Sequence, residues 1–219
     1  MTNHKKLKVV LVQPSTHESV QSLFTYYKGD GVGAKPPLAV LIMATYLRSQ
    51  GFQNVHCLDA QLENLTPEAT VDQIEGMNPD LVGITTWTDF WYPVWKTVQL
   101  IKKRLPRCKV ILGGPHCSVF PRETLEYSEA DFVVRGDGEE VLLKLMQNIN
   151  EGKQVEEQSG LYRKIDEKIL EPACDLAEVV DLTKIPHPDR LLLPYKRYNS
   201  VLNPAEFETT MITSRGCPH

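Results

Sequence analysis

The chain has 219 residues, 42% hydrophobic and 24% charged, with 24 Lys+Arg against 28 Asp+Glu for a net charge of −4. That mixture excludes wholesale disorder, and the slight acidity gives no electrostatic footprint for nucleic acid or an anionic membrane. No run of about 18 apolar residues offers a membrane span, and the polar, basic stretch before Val9 is unlike a secretory leader.

Residues 8 to 13, ended by Pro14, form a short β-branched run that reads as a strand buried on both faces. A polar stretch from Ser15 to Lys35 follows, with Gly29, Gly31 and Gly33. It is long for a loop, which points to function. Pro36 and Pro37 open a helix in which Leu38, Leu41, Ile42 and Thr45 share a face, and Gly51 closes it. Val55 to Leu58 is a second strand, ending at Asp59. Thr66 and Pro67 start a second helix, as cap and first-turn residue. Leu81 to Thr86 is a third strand. Trp91, Val94, Trp95, Val98, Ile101 and Leu105 mark one face of a third helix. Val110 to Leu112 is a fourth strand, ending in Gly113-Gly114-Pro115. A short helix over Pro121 to Ser128 precedes a fifth strand, Phe132 to Val134. Gly136-Asp137-Gly138-Glu139 then leads into a last helix with Val141, Leu142, Leu145, Met146 and Ile149 inward.

Strands alternating with helices specify an α/β fold, a doubly wound five-stranded parallel sheet of flavodoxin-like order 2-1-3-4-5. Ligands in such sheets bind at the carboxyl ends of the strands. After Gly152 the texture changes. Residues 153–205 are expected to be a linker, with a short hairpin possible between Gly160 and Leu170. Residues 209–213 read as a new strand and lead into Ser214-Arg215-Gly216-Cys217-Pro218-His219. The expected organisation is a Rossmann-like domain over 1–152, a linker over 153–205, and over 206–219 the start of a second domain missing its remainder.

The residues to weigh follow the strands. Gly113 and Gly114 remove side chains where a ligand or another backbone must come close. A tight strand-to-helix turn explains them less well than a ligand seat. Thr85 and Thr86 end the central strand with hydroxyls that could serve a ligand, or that simply favour a strand. The acids after Gly136 and Gly138 suit a helix start and say little alone. His17 and His116 follow the first and fourth strands. A lone histidine is more often structural than a ligand. The Trp87, Trp91, Trp95 stripe reads as core. No Gly-x-Ser-x-Gly elbow, no Gly-x-Gly-x-x-Gly after the first strand and no Walker lysine is present. Five scattered cysteines, Cys57, Cys108, Cys117, Cys174 and Cys217, form no disulfide framework and fit a reducing cytoplasm.

Several segments together resemble the N-terminal part of cobalamin-binding-domain radical S-adenosylmethionine proteins. They are Val9 to Pro14, Pro36-Pro37-Leu38-Ala39, Gly113-Gly114-Pro115-His116, Asp131 to Glu139, Ile185-Pro186-His187-Pro188-Asp189-Arg190 and Ser214 to His219. The resemblance implies cobalamin at the strand ends, with Gly113, Gly114, Pro115 and His116 at its tail or corrin edge. Thr85, Thr86, Gly136 and Gly138 would lie on neighbouring loops. It implies that Cys217 opens a Cys-x-x-x-Cys-x-x-Cys set holding a 4Fe–4S cluster that binds S-adenosylmethionine. The further cysteines would lie beyond His219, in a barrel domain this chain does not contain. The implied activity is radical methylation or a related carbon-radical reaction. The Asp-x-His-x-x-Gly of well-known cobalamin modules is matched only by Ser15-x-His17-x-x-Val20. That leaves two readings open: cobalt without a protein ligand, or a domain keeping only the fold. From another class, a receiver-like or protein-interaction module is disfavoured, because Pro14-Ser15 and Thr85-Thr86 stand where its acids belong. A flavodoxin-like electron carrier has only Ser15-Thr16 for its phosphate loop.

Overall fold

The structure is a computed structural model, and it describes residues 6–19, 35–199 and 207–215. The glycines at 29, 31 and 33 and the cysteine at 217 lie outside these residues.

Five parallel strands form the centre: β1 (Val9–Gln13), β2 (Val55–Asp59), β3 (Leu81–Thr85), β4 (Lys109–Gly113) and β5 (Phe132–Val134). Helices α1 (Leu38–Ser49), α2 (Pro67–Met77), α3 (Trp91–Arg104), α4 (Pro115–Val119), α5 (Pro121–Tyr127) and α6 (Glu139–Asn150) connect and cover them. The strand order begins 2-1-3-4-5, as expected for a flavodoxin-like sheet. Because successive strand residues point to opposite faces, each strand feeds two cores. Val9, Leu11, Leu81, Ile111 and Val134 pack on the face covered by α1 and α6. Val10, Val12, Val82, Val110 and Leu112 pack on the other, with Val94 and Val98 of α3.

Local signals set the helix ends. The Thr66 hydroxyl accepts from the Ala69 amide at 3.2 Å, and Asn78 ends α2 in a left-handed conformation, φ +49°. Tyr46 ties α1 to α6 by donating its hydroxyl to Glu140 at 2.6 Å.

The sheet does not stop at five strands. β6 (Leu161–Ile165) pairs antiparallel with β5, and β7 (Lys168–Leu170) pairs with β6, giving order 2-1-3-4-5-6-7. These residues were expected within a linker. Their polar, short runs hide the strand period, but the edge of β5 offers unpaired backbone groups that a hairpin satisfies. Asp166 and Glu167, both at positive φ, make its two-residue turn. The strand expected over 209–213 does not form. No strand pairs with those residues among the described ones, and an isolated Asn199–Phe207 bridge is the nearest ladder contact.

Between these parts the chain is pinned to the rim beyond β2. Tyr198 is fully buried, and its hydroxyl donates to Asp59 Oδ2 at 2.8 Å. Asp59 Oδ1 accepts from the amides of Gln61 and Leu62 at 3.1 and 3.0 Å. Burial pushes the Asp59 carboxyl above its ordinary range, although these hydrogen bonds pull it back.

Candidate functional site

The register of the sheet builds a cavity. Leu11 of β1 stands opposite Gly83 of β3, and Gly83 opposite Ile111 of β4. All three face α1 and α6, and the absent side chain at Gly83 lets its neighbours in the row lean over the strand. A Cβ there would stand 2.8 Å from Leu11 Cδ2 and 3.5 Å from Ile111 Cγ2, so the neighbours already lean inward. One step nearer the strand ends, Thr85 pairs with Gly113. A Cβ on Gly113 would meet nothing within 4 Å. The result is a cavity of about 280 Å3 opening at the carboxyl ends of the parallel strands. Its walls are Val40 and Met43 of α1 and Leu142 of α6, and its mouth carries Asp137, Glu139 and Arg215.

The glycines at the rim have separate jobs. Gly114 sits at φ +98°, and a Cβ on it would stand 2.9 Å from Thr85 Oγ1 and 3.0 Å from the Thr86 backbone. It is there for the turn. Gly138 lets α6 start against α1, since its Cβ would come within 3.1 Å of Met43 Cε.

Arg215 crosses the mouth. Its Nη2 donates to Glu139 Oε1 at 2.7 Å, and its Nη1 stands 3.6 Å from Asp137 Oδ1. Glu139 is buried at 4% exposure, in the first turn of α6, where the helix dipole favours a carboxylate. Ile212, from the same segment, also lines the cavity.

Of the residues singled out from sequence, Thr85, Gly113, Gly114, Gly136 and Gly138 come together around this cavity. Thr86, Pro115 and His116 do not line it. Thr86 is one residue beyond Thr85, and the period of two turns it to the other face, beside the second core. Its amide donates to the Gly113 carbonyl at 2.7 Å, and its carbonyl accepts from the His116 amide at 3.0 Å. His116 is buried there, stacked on Trp91 at 4.9 Å and against Phe120 at 5.4 Å. Its Nδ1 lies 3.2 Å from Thr88 Oγ1, and burial lowers its pKa, so it stays neutral near pH 7. His17 is also away from the cavity, with Nε2 3.1 Å from the Asn64 carbonyl. The Trp91–Trp95 stripe is only partly core: both residues are half-buried and Trp87 is exposed.

Sequence reasoning missed Gly83, Leu11, Met43 and Arg215. A glycine inside Leu81-Val-Gly-Ile-Thr85 was the available signal for Gly83, because glycine weakens a strand unless close approach needs it. Among the described residues no group of three or more His, Cys, Asp or Glu could hold a metal. Burial pushes the thiols of Cys57, Cys108 and Cys117 up to about 12, 11 and 12, far from nucleophilic. No described helix is long and apolar enough to cross a membrane.

Comparison with known proteins agrees with this geometry. The chain is 32% identical, over 98% of its length, to an uncharacterized methyltransferase of Pyrococcus horikoshii, and covers 44% of that protein. It is 27% identical, over 97% of its length, to an anaerobic magnesium-protoporphyrin IX monomethyl ester cyclase of Rubrivivax gelatinosus, and covers 37% of it. The chain thus spans less than half the length of these curated relatives. Among solved structures, the cobalamin-dependent S-adenosylmethionine radical enzyme OxsB, with aqua-cobalamin and S-adenosylmethionine bound, shares the fold at TM-score 0.67. Identity is 17%, over 84% of this chain and 24% of that one. The radical S-adenosylmethionine methyltransferase TsrM from Kitasatospora setae, with cobalamin and a [4Fe-4S] cluster bound, matches at TM-score 0.61. Identity is 24%, over 78% and 31%. The family profile of the B12 binding domain matches residues 31–146, just over half the chain, which include α1, β3, β4 and β5 of the cavity but not β1. The chain therefore belongs to the B12 binding domain family.

Proposed function

We propose that this chain is the cobalamin-binding portion of a radical S-adenosylmethionine enzyme, a methyltransferase or related carbon-radical enzyme. The single observation that carries the reading is the glycine-floored cavity between the sheet and α1, open at the carboxyl rim.

The residues present suit the cofactor's chemistry. The space beside Gly113 is open and the cavity lining is mostly apolar, which suits a flat aromatic base. About 280 Å3 does not hold a whole corrin, so the macrocycle would rest outside, over Gly114, Gly136 and Thr85. Leu11, Met43, Ile111 and Leu142 would exclude water from the slot. The Thr85 hydroxyl and the Asp137 carboxylate would meet the amides of the corrin edge, while Glu139 stays bonded to Arg215. His17 is held by Asn64, so it is not poised as a cobalt ligand in this arrangement. Bound cobalamin would supply a transferable methyl group; the protein's part is orientation and exclusion of water.

In the whole protein, the part of 153–205 that follows β7, residues 171–205, would connect the sheet domain to a barrel domain beginning near 206. Cys217 would be the first of three thiolates for a 4Fe–4S cluster that binds S-adenosylmethionine. The names of the relatives support this, and so does the Arg-Gly-Cys-Pro run. The buried, unpaired thiols support a cytoplasmic setting.

The test is titration of the chain with hydroxocobalamin, followed by visible absorbance and calorimetry. Saturable binding with one site is expected. No binding at tens of micromolar cofactor would overturn the assignment.

A further inference from the structure

A second cavity, of about 190 Å3, lies on the outer side of α1 and has no connection with the cobalamin reading. It forms where residues 190–198 and 207–209 fold over Leu41. Tyr195 and Phe207 wall it, edge to face at 5.8 Å, and Tyr198 closes its floor. Two charged side chains, Arg190 and Glu208, also line it.

Both charges are fixed, and both are left incomplete. Arg190 Nη2 donates to the Thr210 carbonyl at 2.6 Å, which holds the guanidinium in place. Its Nη1 is buried with no hydrogen-bond partner. The Glu208 amide donates to the Tyr198 carbonyl at 2.8 Å, which fixes the backbone there. Its Oε2 is likewise buried and without a partner, and the two side chains do not pair with each other. A buried guanidinium nitrogen and a buried carboxylate oxygen left open are costly, and the two stand at one cavity with opposite charge.

We propose that this cavity binds a small zwitterion, an α-amino acid with an apolar side chain. Its carboxylate meets Arg190 Nη1, its ammonium meets Glu208 Oε2, and its side chain lies between Tyr195, Phe207 and Leu41. The size agrees, since an apolar cavity of about 150 Å3 accommodates benzene. A purely apolar ligand would leave both charges open, and a simple anion would leave Glu208 open.

The probe is L-phenylalanine, titrated into the 219-residue chain by calorimetry and saturation-transfer NMR. Saturable binding is expected. Phenylpropionate, which lacks the amine, and phenethylamine, which lacks the carboxylate, should each bind at least about tenfold more weakly. R190Q and E208Q should each weaken phenylalanine by a similar factor while leaving hydroxocobalamin binding unchanged. Failure of the cobalamin reading would leave this result untouched, because the two cavities share no lining residue. Should R190Q not fold, E208Q carries the test, since Glu208 makes its described structural bond through its backbone. No saturable binding by about 10 mM would overturn the proposal. Equal binding of the one-charge analogues would too, as would unchanged affinity in E208Q.

Discussion

Arg215 Nη2 lies 2.7 Å from Glu139 Oε1, so a residue near the end of the described chain is bonded to the first turn of the helix that walls the cofactor cavity. Glu139 is nearly inaccessible, and Arg215 is its charged partner. A hydrogen bond to a charged group contributes about 1.5–3 kcal/mol. R215Q should therefore loosen residues 209–215 and speed their cleavage in limited proteolysis by about ten- to a hundredfold. Amide exchange in β1, β3 and β4 should stay as in the parent, as read by mass spectrometry.

Two adjacent glycines give opposite outcomes. At Gly113 an added Cβ meets no atom within 4 Å and points into the open cavity, so G113L should fold with stability within about 1 kcal/mol of the parent. It should fill the slot and weaken hydroxocobalamin by at least about tenfold. At Gly114 the positive φ and the contacts of 2.9–3.0 Å make any side chain strained. G114A should lose about 2 kcal/mol or more in urea unfolding.

The Asp59–Tyr198 pair predicts a pH dependence. Burial, the largest influence, raises the Asp59 pKa in the folded protein above its unfolded value. Within that window the folded state binds more protons, so stability falls as pH rises from about 4. Below the ordinary carboxylate range the favourable contribution is fully present. D59N has no such titration, and the parent's urea midpoint should decline relative to it between pH 4 and 8. Y198F removes the donor to Oδ2 and should cost about 1–3 kcal/mol at neutral pH.

Gly160 is the sharpest steric test. A Cβ there would stand 2.3 Å from the Ala177 amide nitrogen and 2.5 Å from the Arg135 carbonyl oxygen, and neither backbone atom can turn aside. With φ at +71° added, G160A should cost at least about 3 kcal/mol or release residues 171–180 from the sheet. Proteolysis mapped by mass spectrometry distinguishes these outcomes.

Local pattern carried the central sheet. The β-branched runs at Val9, Val82 and Val110, separated by amphipathic helices, mark a parallel doubly wound sheet without tertiary knowledge, and 2-1-3-4-5 is one of its two common orders. The rim glycines could be found because a side chain is absent where a strand ends. Gly83 was less visible, since its meaning depends on Leu11 and Ile111 arriving beside it in register. His116 misled because closeness in sequence to Gly114 says nothing about which face its ring takes. Arg215 and Glu139 meet only through tertiary folding, which no local period reports. The β6–β7 hairpin was faint because an edge strand with one face exposed needs few apolar residues.

That hairpin returns the chain to the side of the sheet from which it set out. α6 carries the backbone from the rim back to the amino ends of the strands. Residues 151–160 climb to Gly160, whose carbonyl accepts from the Arg135 amide at the rim. β6 then descends, with Leu161 opposite Val134 and Arg163 opposite Phe132, and β7 ascends again. Counted from the end of α6, the climb, β6 and β7 make three traverses, so residues 171–180 emerge beside Gly136, where the Ala177 amide donates to the Arg135 carbonyl at 2.9 Å. Removing one traverse would reverse the parity and send the rest of the polypeptide out at the pole opposite the cofactor.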